Sequence, residues 1–122
     1  MRALVVEDEA LVAMVAEDAL SALGFRHRSA RNAAEAITAF EADEPDMALI
    51  DVGLPDGKGD DLAERLRRAA PNLRVVMASG YDPAQLRHRF RNDPKVAVLT
   101  KPYTESDLAR ATRSLGFNVP EA

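Results

Sequence analysis

Glu7 and Asp8, Asp51, Ser79 and Lys101 are the side chains of this sequence whose types and spacing could do chemistry together. Each stands where a short apolar run gives way to a loop. Ala3-Leu4-Val5-Val6 precedes the acidic pair, Met47 to Ile50 precedes Asp51, Leu73 to Ala78 precedes Ser79, and Val96 to Leu99 precedes Thr100-Lys101-Pro102. Three carboxylates crowded at one place repel one another, and a hard divalent cation relieves them. Magnesium is the natural candidate because it prefers oxygen ligands and keeps several waters, and manganese could replace it. Gly53 leaves room for its own carbonyl to reach such a cation. A carboxylate is also a nucleophile toward phosphorus and can form an aspartyl phosphate. Phosphoryl transfer needs mainly positioning and charge neutralisation. The cation, the Lys101 ammonium, and the Ser79 hydroxyl with nearby backbone N–H groups would divide the phosphoryl oxygens among them.

For these residues to meet, the apolar runs must lie side by side. The run ending at Asp51 is too short for a helix and too apolar for a half-exposed strand, so it reads as a strand buried on both faces. Leu11, Met14, Val15, Ala19, Ala22 and Leu23 recur at helical spacing after the first strand and are expected to face the core, with Gly24 stopping the helix. Phe25 to Ser29 reads as a more polar edge strand. Ala33, Ala36, Ile37 and Phe40 mark a second helix with Asn32 as its N-cap. A Gly/Pro-rich loop follows Asp51, and Leu62, Leu66 and Ala70 mark a third helix. Pro83 suits the first turn of a fourth, which carries Leu86 and Phe90 among Arg87, His88, Arg89 and Arg91. Leu108, Ala111, Thr112 and Leu115 mark the last helix, closed by Gly116. Five strands alternating with five helices predict right-handed crossovers and an α/β fold: a flavodoxin-like, doubly wound, five-stranded parallel sheet of order 2-1-3-4-5. In that order the carboxyl ends of the first and third strands flank the point where the winding reverses, which is where ligands bind.

The 122 residues suit one domain, here placed over 1–117 with a tail over 118–122. The net charge of −4 argues against bulk attraction to nucleic acid. No apolar segment reaches membrane-spanning length, and the N-terminus turns acidic too early for a signal peptide, so the expected compartment is the cytoplasm. The absence of cysteine excludes disulfides, thiol catalysis and cysteine-ligated metals. His27 and His88 lie away from the strand ends and read as surface residues. The basic cluster on the fourth helix reads as a solvated face or part of a partner surface rather than a nucleic-acid patch.

Val6-Glu7-Asp8-Glu9, Pro45 to Asp51 with Leu54-Pro55 and Gly57, Ser79, and Lys101-Pro102-Tyr103 together resemble the receiver domain of two-component response regulators, single-domain or hybrid-kinase type. The resemblance implies that Asp51 is the phosphoacceptor and that Glu7, Asp8, Asp51 and the Gly53 carbonyl hold magnesium. It makes Ser79 the switch hydroxyl and Lys101 the phosphoryl ligand, and it implies a cis bond before Pro102. The implied partner is a sensor histidine kinase or a histidine phosphotransfer protein. An output partner or a second copy would bind through the fourth helix, fifth strand and fifth helix, with no direct nucleic-acid or membrane contact. The chain carries no output domain, so it would be a stand-alone receiver or part of a larger protein. Two departures concern the readout. Receivers usually carry Tyr or Phe where Val98 stands, and Tyr81 is the candidate replacement. The run Ala78-Ser79-Gly80-Tyr81 partly resembles the FAT GUY receivers, with Met77 in place of the Phe.

Taken singly, these residues have plainer readings: Asp8 as a helix cap, Asp51 as part of a turn, Lys101 as a solvated charge, Ser79 as a cap. Those readings do not explain why all of them end strands at one sheet edge. Two other functions compete. An aspartyl-nucleophile phosphohydrolase needs a second Asp two residues after the first, and Gly53 occupies that place. A pseudo-receiver, a pure interaction module, would leave Asp51 unused.

Overall fold

The computed structural model describes residues 1–80 and 83–120. In chain order the elements are β1 (Arg2–Val6), α1 (Ala10–Ala22), β2 (Arg26–Ala30), α2 (Ala33–Ala42), β3 (Met47–Asp51), β4 (Gly53–Leu54), β5 (Gly57–Lys58), α3 (Gly59–Ala69), β6 (Arg74–Ser79), α4 (Ala84–Arg89), β7 (Val96–Thr100) and α5 (Glu105–Ser114). Five strands form one parallel sheet in the order β2-β1-β3-β6-β7. With the small antiparallel β4–β5 hairpin set aside, this is the predicted flavodoxin-like order. The hairpin lies within the stretch expected to be a Gly/Pro-rich loop.

Successive side chains of a strand point to opposite faces, and the core divides accordingly. Leu4, Val6, Ala48, Ile50, Val75 and Met77 pack with α2, α3 and α4. Ala3, Val5, Met47, Leu49, Val76 and Ala78 pack with α1 and α5. Every residue of β3 is buried, as expected of a central strand covered on both faces. Helix ends follow their local chemistry. Asn32 caps α2 by accepting from the Glu35 N–H at 2.8 Å, and Thr104 with Asp107 forms a reciprocal capping box on α5. Gly24 ends α1 at φ 92°, where a side chain would be strained.

Helix α1 departs from expectation. Leu11, Met14 and Val15 are exposed, as is Ala22, while the buried face is Ala13, Ala16, Ala19 and Leu20, continuing to Leu23. The first turns of α1 are apolar on both sides, so periodicity alone could not decide which stripe turns inward. Three alanines on the inner face let α1 lie close to the sheet and α5, where larger side chains would not fit. Accordingly Leu11→Lys, at a position 77% exposed, should leave the urea unfolding free energy within about 0.5 kcal/mol of wild type. Ala16→Leu, at a position 1% exposed, should cost about 1–3 kcal/mol. Equal losses from the two variants would reverse the assignment of faces.

The basic residues of α4 are not uniformly solvated. The Arg89 guanidinium reaches three carboxylates of α3: it pairs with Asp60, donates to Asp61 at 3.0 Å and donates to Glu64 at 2.7 Å. A second pair, Arg67 of α3 with Asp93, joins α3 to the turn after α4. These contacts are partly exposed, so each adds modestly to stability. Their main effect is to fasten a six-residue helix to its neighbour. Among the described residues no helix is long and apolar enough to cross a membrane.

Candidate functional site

Strand register assembles the site. Val6 lies opposite Ile50, which sets Glu7 beside Asp51, and Asp51 lies opposite Ala78, one residue before Ser79. The ladder continues past the strand ends: the Val52 N–H donates to the Ala78 carbonyl at 2.9 Å, and the Lys101 N–H donates to the Ser79 carbonyl at 2.8 Å. The end of β7 is thereby held against β6, and the Lys101 side chain turns back over the edge. Its Nζ lies 2.7 Å from Glu7 Oε1 and 3.2 Å from Asp51 Oδ2. The Lys101–Pro102 peptide bond is cis.

Glu7, Asp51 and Ser79 are all buried, and Asp8 is exposed at the rim. Glu7, Asp8 and Asp51 each offer an oxygen, and these oxygens all lie within 4.8 Å of one another. A buried carboxylate loses its hydration, and one lysine cannot fully neutralise two of them. Burial, opposed by the Lys101 and Glu9 hydrogen bonds and reinforced by the Asp51 charge, leaves the Glu7 carboxyl above the usual carboxylate range. Burial alone would lower the Lys101 ammonium, but its contacts with Glu7 and Asp51 outweigh that and hold it above the usual lysine value. Tyr103, partly buried nearby, has its hydroxyl pushed up to about 12, chiefly by desolvation. The donor set is all oxygen, carries a surplus of negative charge and opens to solvent at Asp8, which fits a hard divalent cation.

The plainer reading of Asp8 does not hold: the N-cap of α1 is Glu9, without a side-chain cap. The Gly53 N–H points to Asp51 Oδ1 at 3.4 Å. Val98 is half-buried, packs against the core under α2, α3 and α4, and lies opposite Met77. Tyr81, the proposed substitute aromatic, lies outside the described residues. His27 and His88 are exposed, away from the strand ends.

Gly53 stands out in the sequence for its carbonyl and Gly57 as part of the receiver-like motif, but the glycine whose missing side chain the site requires is Gly59. A Cβ at Gly57 would meet open space, whereas one at Gly59 would stand 2.0 Å from the Asp51 carbonyl oxygen. The available signal was a glycine opening a helix, a poor position for it unless backbones approach closely. Asp56 has a structural role as well. Its carboxylate accepts from the Ala33 N–H at 2.7 Å and the Ala34 N–H at 3.1 Å, and so caps α2 from a distant loop. An Asp in a Gly/Pro turn carries no local sign of such a partner.

Comparison with known proteins agrees with this geometry. The family model described as the response regulator receiver domain matches residues 3–113. The chain is 34% identical over 99% of its length to the sensory transduction protein LytT of Enterococcus faecalis, of which it covers 52%. It is 30% identical over 92% of its length to the sensor kinase CckA of Brucella abortus, of which it covers 12%. The chain thus spans about half, or much less, of these curated relatives. Among solved structures, a CheY-like response regulator receiver domain protein from Methanospirillum hungatei superposes with a TM-score of 0.82 at 26% identity, covering 92% of this chain and 90% of that one.

Proposed function

Because this chain belongs to the response regulator receiver domain family, we propose that it accepts a phosphoryl group from a phosphohistidine onto Asp51 in a magnesium-dependent reaction. It then changes conformation or passes the group on. The observation that carries the reading is the single lysine bridging two buried carboxylates at the edge of a parallel sheet, with a third carboxylate at the rim.

Glu7, Asp8, Asp51 and the Gly53 carbonyl would hold the cation, which when bound supplies positive charge against the phosphoryl oxygens. An Asp51 carboxylate oxygen attacks phosphorus as the phosphorus–nitrogen bond of the donor breaks. The imidazole leaves with that electron pair and takes up a proton. Lys101 exchanges its contact with Asp51 for a phosphoryl oxygen, and the Ser79 hydroxyl donates to another. The group on Asp51 ends as an acyl phosphate, which water can hydrolyse. This is signalling chemistry on the protein's own side chain rather than turnover of a metabolite.

The donor is a sensor histidine kinase or a histidine phosphotransfer protein, and the output surface is the face formed by α4, β7 and α5. Val98 cannot make the inward swing of an aromatic, so the readout runs through Ser79 and the segment after it. Incubation with magnesium and a small-molecule phosphodonor should add the mass of one phosphoryl group to wild type and none to Asp51→Asn. A wild type that gains nothing, or a variant that gains as much, sinks the reading.

A further inference from the structure

The first three amides of α2 have no partner inside the helix, as at any helix start. Asn32 satisfies the Glu35 N–H. Asp56, at the turn of the β4–β5 hairpin, satisfies the other two, at Ala33 and Ala34. These bonds hold the Asp56 carboxyl below the usual carboxylate range, the Ala33 N–H contributing most. A negative charge there also meets the positive end of the helix dipole.

The other end of the same hairpin is the site. Gly53 pairs with Lys58 at its base, and the Gly53 N–H faces Asp51. Gly59 follows at once, with its N–H on the Val52 carbonyl at 2.8 Å. A hairpin of two-residue strands has little stability of its own. This one is anchored through the buried Leu54 side chain on one strand and through Asp56 at the tip, while Pro55, Gly57 and Lys58 are exposed. Without the Asp56 bonds, the hairpin would rest on Leu54 and its base to keep the Gly53 backbone in register with Asp51.

We infer that Asp56 is a positioning residue: by tying the hairpin tip to the N-terminus of α2, it sets the Gly53 backbone against the phosphoacceptor. The inference rests on the phosphoacceptor reading for its catalytic consequence, but its structural content can be read with magnesium alone. A simple helix cap would matter only to the stability of α2. The two roles separate because α2 has a second cap, Asn32, whose side-chain bonds run to Glu35 of the same helix.

The experiment compares wild type, Asp56→Ala, Asp56→Asn and Asn32→Ala. Thermal melting reports loss of a cap. Magnesium titration followed at the Gly53 amide by NMR, and the magnesium dependence of phosphoryl incorporation from a small-molecule donor, report the site. Both alanine variants should melt lower than wild type. Asp56→Ala should weaken magnesium binding by about tenfold, the scale seen when a residue supporting a metal ligand is lost. Asn32→Ala should leave the titration unchanged. Asp56→Asn keeps one acceptor oxygen and should fall between wild type and Asp56→Ala. Equal shifts in Asp56→Ala and Asn32→Ala, or no shift in Asp56→Ala, would overturn the inference. If wild type binds magnesium but takes up no phosphoryl group, the phosphoacceptor reading fails, while the titrations still decide the role of Asp56.

Discussion

Gly59→Ala is expected to destabilise the protein by about 3 kcal/mol or more, at the upper end of the cost of overpacking. The added Cβ would lie 2.0 Å from the Asp51 carbonyl oxygen, 2.8 Å from its carbonyl carbon and 2.9 Å from the Val52 Cα. All three atoms are backbone, so no side chain can turn aside. Relief requires moving α3 away from the end of β3. That movement breaks the bond from the Gly59 N–H to the Val52 carbonyl and displaces the backbone that carries Asp51. Both stability and phosphoryl incorporation should therefore fall. Gly57→Ala is the control: its Cβ would meet nothing within 4 Å, and its φ is not positive. There the loss of unfolded-state freedom should leave stability unchanged or raise it by up to about 1 kcal/mol. Urea denaturation of the two variants decides the matter, and equal midpoints would contradict the close approach at Gly59.

Lys101→Ala should cost about 3–5 kcal/mol at neutral pH, because it leaves two buried carboxylates without their shared counter-charge. Lys101 Nζ lies 2.7 Å from Glu7 and 3.2 Å from Asp51, and both acids are nearly inaccessible. The sign of the pH dependence follows from Glu7. Its carboxyl is already raised in the folded protein, and Lys101 is among the groups that lower it. A group raised on folding favours the folded state most when it is protonated, and that contribution is lost as pH rises through its folded value. Removing Lys101 raises it further and widens that window. The deficit of the variant should thus be small near pH 4, about the ordinary glutamate value, and should grow toward neutrality. Magnesium should restore part of the loss by neutralising the same carboxylates. Urea titrations at several pH values, with and without magnesium, test this. A deficit that is constant with pH would mean that Lys101 acts by packing alone.

Much of the architecture was legible because its signals are local. Met47 to Ile50 is apolar without alternation, which only a doubly covered strand requires, and β3 is buried throughout. Asn32 before Ala33 reads as a cap and caps α2. Helix α1 marks the limit. Leu11-Val12-Ala13-Met14-Val15-Ala16 offers two apolar stripes at helical spacing, and the one through Leu11, Met14 and Val15 faces solvent. Only the spacing between α1, the sheet and α5 shows that alanines are needed inside. The basic residues of α4 are a similar case, since the partners of Arg89 sit on α3 at Asp60, Asp61 and Glu64.

Local sequence patterns settle the alternation of strands and helices and the identity of the residues that end each strand. Hydrophobic period, caps and breakers act over a few residues, and the parallel order with its right-handed crossovers then carries Glu7, Asp8, Asp51, Ser79 and Lys101 to one edge. Tertiary structure alone decided three things: which stripe of α1 turns inward, that Gly59 and not Gly57 must lack a side chain, and that Asp56 reaches back to Ala33 and Ala34. Each depends on the distance between segments far apart in the chain, and no local pattern encodes a distance of that kind.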